Sequence, residues 1–341
     1  LLRGHTPGVL ALGVTMMWVL GCQGPFPQST LDPTADFGWH IDDLFRWIFW
    51  FAVGVFVVVE TLLVFVLLRY RARPGAPEPQ RVQGHTLLEI SWTLVPAIIL
   101  ILIAAPTIQT IFQTDGTPPE GALEVDVIGH QWWWEYRYPA LGITTANELH
   151  VPQGRAVSLR LTSQDVIHSF WAPRLGGKRD VIAGRTNRIG FTPESLGVFL
   201  GQCAEFCGES HAKMGLRVMV EDSGSFAAWV ERERAVPAPA ESLSPAARQG
   251  LEAFRLVRDP ASNSCIACHT VQGTSFGVLG PNLSHVGSRT TIAAGALPNS
   301  DEGLARWLRD PLVVKPGSKM PRIGLTEDEI VALVAYLRSL R

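Results

Sequence analysis

Two nearly uninterrupted apolar runs, residues 47–68 and 90–112, dominate the first third of the chain. Each is close to the ~20 residues an α-helix needs to cross a bilayer, and neither keeps the polar face that a core helix of this length normally carries. The pattern predicts a two-helix transmembrane hairpin within residues 40–115, against the alternative of a pair of buried core helices. A shorter apolar stretch, residues 9–21, cannot span and ends in Val19-Leu20-Gly21-Cys22. It reads as a signal segment, residues 1–22, with Cys22 as a lipid attachment site, the alternative being an unprocessed anchor helix. From residue 120 the apolar period shortens to two, predicting strands near 123–138, 148–161, 185–191, 197–200 and 216–221 with turns at 152–155 and 193–197. A Greek-key β-barrel over residues 120–232 follows. The Pro/Ala-rich segment 233–244 reads as a semi-extended linker. Residues 245–341 return to helical signals. Ser244-Pro245 offers a cap and first turn for a helix reaching about residue 257, and Thr326-Glu327-Asp328-Glu329 is a capping box. Ile330, Leu333, Val334 and Leu337 then form a core stripe, expected to pack on that first helix.

Charge orients the hairpin. Arg69, Arg71, Arg73 and Arg81 lie between the two runs among Pro74, Pro77 and Pro79, which places this loop in the cytoplasm and everything after residue 112 outside. The formal net charge of −2 and the lack of any basic stripe exclude nucleic acid as a partner. Two carboxylates, Glu60 and Glu89, fall in or beside the spans, where such groups are costly enough to suggest a role. Glu89 is either functional or an interfacial carboxylate in the headgroup zone; Glu60 is expected to face a partner helix.

The five cysteines fall into three groups: Cys22, Cys203 with Cys207, and Cys265 with Cys268. The middle pair sits in Cys203-Ala204-Glu205-Phe206-Cys207-Gly208-Glu209-Ser210-His211-Ala212-Lys213-Met214, with His168 upstream. Two thiolates, two imidazoles and a thioether form a soft donor set suited to copper. One copper needs a single Cys, so a second Cys four residues on lets both sulfurs bridge two ions; a disulfide or a zinc site is the competing reading. Cys265-Ile266-Ala267-Cys268-His269 is the C-x-x-C-H attachment signal for a covalent haem c, with His269 as proximal ligand, rather than a redox dithiol, which belongs beside a βαβ unit. Met320 is the only methionine after that motif and is the candidate sixth ligand; His285 is the alternative.

The copper motif, the run Gly129-His130-Gln131-Trp132-Trp133-Trp134-Glu135-Tyr136 and the run from Leu88 to Ala97 closely resemble subunit II of haem–copper cytochrome c oxidases over residues 40–230. Residues 245–340 resemble class I cytochromes c, and the fusion of the two resembles the caa-type oxidases. The resemblance implies a cupredoxin-like fold for the β domain and an all-α class I cytochrome c domain. It implies a dinuclear copper centre on His168, Cys203, Glu205, Cys207, His211 and Met214, where Glu205 gives its backbone carbonyl to copper and its side chain to magnesium at the interface with subunit I. It further implies that the electron comes in at Trp132 and that Glu89 stands at the mouth of a proton pathway, with Trp134 left as core. The predicted spans hold no histidine, so the haems and copper that reduce oxygen belong to subunit I, with cytochrome c or another donor supplying the electrons. Lys315, Lys319 and Arg322 are expected to meet Asp165 and Glu209 across the two outer domains. The rivals are the electron-accepting subunit of a copper-containing nitric oxide reductase and a copper chaperone or sensor lipoprotein.

Overall fold

A computed structural model describes residues 26–71, 73–75, 83–115, 119–257 and 264–341. Cys22, the segment 1–22 and Arg81 lie outside the described residues. Helices α1 (Asp36–Arg69) and α2 (Thr86–Gln113) form an antiparallel pair whose apolar side chains stay largely exposed, as at Leu68 and Phe112. At ~1.5 Å of rise per residue, 34 and 28 residues exceed the ~30 Å of a hydrocarbon layer. α1 begins earlier than the apolar run because its first turns are built against the β domain. The Asp36 carboxylate accepts from the Thr192 amide at 2.6 Å, and a Cβ on Gly176 would fall 2.6 Å from the Phe37 ring. At the end of α2, Arg179 donates to the Thr114 carbonyl at 3.2 Å, so the start of α1 and the end of α2 are both fastened to one domain.

Ten strands follow: β1 (Leu123–His130), β2 (Trp133–Tyr138), β3 (Ile143–Ala146), β4 (Glu148–Pro152), β5 (Val157–Ser163), β6 (His168–Trp171), β7 (Arg179–Val181), β8 (Asn187–Phe191), β9 (Gly197–Cys203) and β10 (Gly215–Glu221). They form two sheets, ordered β3-β2-β1-β5-β8 and β4-β10-β9-β6-β7, with β1/β5 and β4/β10 parallel and the other pairs antiparallel. Inward positions alternate as expected, with Leu216, Val218 and Val220 of β10 buried opposite Val125, Val127, Leu159 and Leu161 in one core. The result is a curled, half-closed, cupredoxin-like structure. The expected single strand 123–138 is two strands with Gln131-Trp132 at the turn between them, which an aromatic run without turn residues conceals. Helix α3 (Ser223–Arg234) closes the domain by stacking Trp229 on His150, with ring centroids 4.4 Å apart.

The C-terminal region is helical: α4 (Pro245–Arg255), α5 (Cys265–Cys268), α6 (Asp301–Arg309), α7 (Pro311–Val314) and α8 (Glu327–Ser339). The all-α expectation needs one correction, since two-residue ribbons pair Thr270–Val271 with Ser275–Phe276 and Thr291–Ile292 with Leu297–Pro298. Tight turns at Gly273 and Gly295, both at positive φ, make these ribbons. The Thr326 cap forms as expected, and α8 packs along α4 with Phe254 against Tyr336 at 5.5 Å. The helices touch backbone to backbone: a Cβ on Gly250 would fall 2.0 Å from the Ala332 carbonyl oxygen. Gly250→Val is therefore expected to cost about 3 kcal/mol or more by overpacking. Thermal melting of the purified protein should show the C-terminal domain's transition lowered while the β domain's transition holds; an unchanged C-terminal transition would contradict the close crossing.

The β domain and the C-terminal domain are in contact. Glu148, 2% exposed, takes hydrogen bonds from the Thr290 and Thr291 amides at 3.0 and 2.9 Å. Beside it the Gly215 amide donates to the Ala294 carbonyl at 3.0 Å. Elsewhere Lys213 donates to the Val314 carbonyl at 2.6 Å and Ser210 to the Pro316 carbonyl at 2.5 Å.

Candidate metal centre and haem site

The loop between β9 and β10 gathers the soft donors against β6. Cys203 ends β9, Met214 immediately precedes β10, and His168 opens β6, which pairs with β9. The two sulfurs of Cys203 and Cys207 are 3.7 Å apart. Around Cys203 stand His168 Nδ1 at 3.9 Å and the Glu205 carbonyl oxygen at 3.2 Å. Around Cys207 stand His211 Nδ1 at 3.5 Å and Met214 Sδ at 3.8 Å. His168, Cys203 and Cys207 are all buried and offer ligand atoms within 4.8 Å of one another, a metal-binding cluster in its own right. Both halves of the set thus centre on a sulfur, and the chemistry of the donors fits a soft metal. A hydrogen bond from the Cys207 thiol draws Cys203 well down, and the neighbouring Cys203 pushes Cys207 up. A metal held here would take both sulfurs as thiolates.

Asp165 organises the opposite side of His168. Its Oδ1 lies 2.8 Å from His168 Nε2, which leaves Nδ1 facing the sulfurs. Burial works against the Asp165 carboxylate, but hydrogen bonds from His168, the Gln131 amide and Lys319 outweigh it and hold its carboxyl well below the usual range. Glu205 and Phe206 point outward while the Glu205 carbonyl faces the sulfurs.

Trp132, 7% exposed, is tied to the same loop: its indole N–H donates to the Cys207 carbonyl at 3.0 Å. Its ring is enclosed between two glycines, because a Cβ on Gly208 would fall 3.1 Å from it and one on Gly317 would fall 2.8 Å from it. Gly317 belongs to the C-terminal domain. Trp134 is fully buried and packs edge-on against His168 at 6.0 Å, in the core as expected.

In the C-terminal domain Cys265 and Cys268 bracket the one-turn helix α5 and His269 follows directly. His269 Nδ1 lies 2.8 Å from the Pro281 carbonyl, which leaves Nε2 free as a metal donor. Burial pulls this imidazole down and keeps it in the neutral form a metal requires. A Cβ on Gly280 would fall 2.6 Å from the His269 ring, so the segment runs hard against the motif. Phe276, Val278 and Leu279, 83, 77 and 75% exposed, make an apolar shelf on that segment of a kind a flat apolar group covers. Met320 packs on the same core as Cys265, Ile266 and Leu283. His285 is buried with neither ring nitrogen bonded, and it faces the Glu233 carboxyl, which burial raises against the pull of His285 and Arg289.

Two of the three cations expected to meet Asp165 and Glu209 do otherwise. Lys319 does meet Asp165, at 3.1 Å, but Arg322 pairs with Asp310 of its own domain. Lys315 reaches no carboxylate: it is 3% exposed and donates to the Trp132 carbonyl at 2.5 Å and the Ala293 carbonyl at 3.1 Å. Burial pulls its ammonium down to about 7. Nothing in the sequence marked Lys315 as buried, although Lys315-Pro316-Gly317 is a turn signal. Glu89 caps its own helix, accepting from the His85 amide at 3.4 Å while His85 Nδ1 accepts from Leu88 N at 3.3 Å. Glu60 is exposed in the middle of α1.

A membrane-anchored β domain with a sulfur-rich metal cluster, joined to a domain bearing a haem-attachment motif, defines a respiratory electron carrier. Residues 31–110 match the family described as cytochrome c oxidase subunit II, transmembrane domain. Residues 140–221 match its periplasmic domain, and residues 259–341 match cytochrome c. The chain is 39% identical to cytochrome c oxidase subunit 2 of Alkalihalophilus pseudofirmus over 97% of this chain and 96% of that one. It is 34% identical to the Bacillus subtilis subunit over 99% and 98%. The solved periplasmic domain of subunit II of cytochrome oxidase from Bradyrhizobium japonicum matches at 34% identity, over 34% of this chain and 96% of that one, with a TM-score of 0.33. The chain belongs to the cytochrome c oxidase subunit 2 family, in the form that carries a fused cytochrome c domain. It is the subunit through which electrons come into this oxidoreductase complex, a membrane protein with an extracytoplasmic domain.

Proposed function

We propose that the chain carries electrons from a covalent haem c in residues 245–341 to a dinuclear copper centre in residues 120–232, and from there to oxidase subunit I, where oxygen becomes water. The observation that carries this reading is the division of six donors into two halves around two sulfurs 3.7 Å apart. His168, Cys203, Glu205 through its carbonyl, Cys207, His211 and Met214 hold the copper ions. Cys265 and Cys268 would hold the haem covalently, and His269 and Met320 would ligate its iron. When bound, each of these groups takes up and gives back one electron. Asp165 fixes the His168 ring, the half-closed sheets act as a Greek-key barrel that keeps water from the sulfurs, and Trp132 is where the electron comes in.

The remaining assignments concern the partner. The outward Glu205 side chain would give an oxygen ligand to magnesium at the interface with subunit I. Glu89, on the first turn of α2, stands at the mouth of a proton pathway. The chain crosses the plasma membrane twice within residues 40–115. The arginine-bearing loop faces the cytoplasm and both cofactor domains face outward, joined by the linker 233–244, in contact with lipid, subunit I and the other oxidase subunits. Cys22 carries a lipid anchor. Cytochrome c or another external donor reduces the haem.

Metal and haem analysis of the purified full-length protein tests the reading: two coppers and one covalent haem per chain are expected, and one copper or zinc contradicts it. Trp132→Leu is expected to slow haem-to-copper transfer by roughly tenfold or more, because the aligned ring is lost while both cofactors stay in place. Flash reduction of the haem followed by copper reduction at an unchanged rate would remove Trp132 from this role and leave the cofactor assignments standing.

A further inference from the structure

We infer that the turn Lys315-Pro316-Gly317 is a latch: it positions the cytochrome domain on Trp132 and closes that tryptophan to any donor other than the fused cytochrome. The inference rests on the copper and haem reading and adds who has access to the copper. Trp132 is 7% exposed in a molecule whose covalent donor covers it, and the cover is Gly317, whose missing Cβ would fall 2.8 Å from the ring and 2.7 Å from a Glu209 carboxylate oxygen. No side chain fits there without moving the tryptophan or the turn.

Lys315 fixes the turn in place. Its amine crosses the domain boundary to the carbonyl of Trp132 itself and also holds the Ala293 carbonyl of its own domain. A buried ammonium is costly to desolvate, and its position is set by the few acceptors that offset that cost. The neighbouring contacts from Lys213 and Ser210 end on the carbonyls of Val314 and Pro316, so the turn is gripped on both sides of Lys315. Three residues further on is Met320, the proposed axial ligand. One short segment therefore runs from the haem's ligand to the copper's tryptophan. A Pro/Ala linker alone would let the domain wander and would leave Trp132 open between encounters.

The test uses the full-length oxidase and two variants, Lys315→Met, which keeps the length and removes the amine, and Gly317→Ala, which drives a methyl group against Trp132. Three readouts apply. Hydrogen exchange of residues 129–134 and 314–318 should be slow in the parent and rise about tenfold or more in both variants, as for a locally opened contact. The haem-to-copper rate after flash reduction should fall about tenfold or more with both cofactor spectra unchanged. Mixed with a reduced soluble c-type cytochrome, the parent should reduce haem first and copper after it. The variants should lose that lag, because the soluble donor now reaches Trp132. A purely structural lysine would not change the order of reduction. Unchanged exchange with an unchanged order in both variants overturns the latch. Exchange reports on the latch whether or not copper is bound, so a missing dinuclear copper signal in the parent would sink the cofactor reading separately.

Discussion

Cys207→Ser is expected to leave the β domain folded and the haem attached, and to stop electron delivery to oxygen. The Cys207 sulfur is the centre of one half of the site, 3.7 Å from the Cys203 sulfur, 3.5 Å from His211 and 3.8 Å from Met214. A hydroxyl of nearly the same size fills the space, so packing changes little. It is a hard and weakly acidic donor, however, and cannot bridge two soft ions. Members of an interdependent set fail together, so turnover should fall on the order of a thousandfold rather than by a fraction. Oxygen consumption, copper content and the near-infrared absorption of a mixed-valence pair are the measurements. Two coppers with that absorption intact in the serine variant would sink the bridging role.

Ending the chain after Glu241 has the second large effect, and it has two parts. The copper domain keeps its donors, because all six come from residues before the linker. With the natural donor, turnover should drop by about 10² to 10³, since a tethered haem at an effective concentration near millimolar is replaced by a dilute free one. With a small artificial donor, copper reduction should become faster than in the intact chain, because removing Gly317 uncovers the Trp132 ring. Steady-state rates with the two donors, compared between truncated and intact oxidase, read both parts. Equal losses with both donors would mean that the cytochrome domain holds the copper site together rather than feeding it.

The candidate donors were legible in the sequence because their chemistry is local. Cys203 to Met214 lies in one loop, Cys265 to His269 in one turn, and the donor types and spacings state their purpose before any fold is known. The membrane hairpin was legible for the same reason, since length and unbroken apolarity suffice. Long-range matters were not. The break at Gln131-Trp132 lies in a run with no turn residue, and the strands around His168 are too short and too interrupted by Pro173, Gly176 and Gly177 to show alternation. Lys315, Lys319 and Arg322 read alike as surface cations. Yet one is buried on a carbonyl of the other domain, one crosses to Asp165 and one stays at home with Asp310. Which cation does which depends on the docking of two folded surfaces, and no local pattern encodes that. Glu148, whose carboxylate is buried under Thr290 and Thr291, was hidden in the same way.

The most direct measurement is the fate of a single electron placed on the haem of the purified oxidase. With the haem reduced by a flash, reoxidation of the c-type haem and reduction of the copper pair should proceed at one common rate, followed by a slower electron gain in subunit I. That sequence requires the haem at Cys265, Cys268 and His269 to feed the copper between Cys203 and Cys207. Subunit I gaining the electron while the copper signal never changes, or copper being reduced before the haem, would contradict the account.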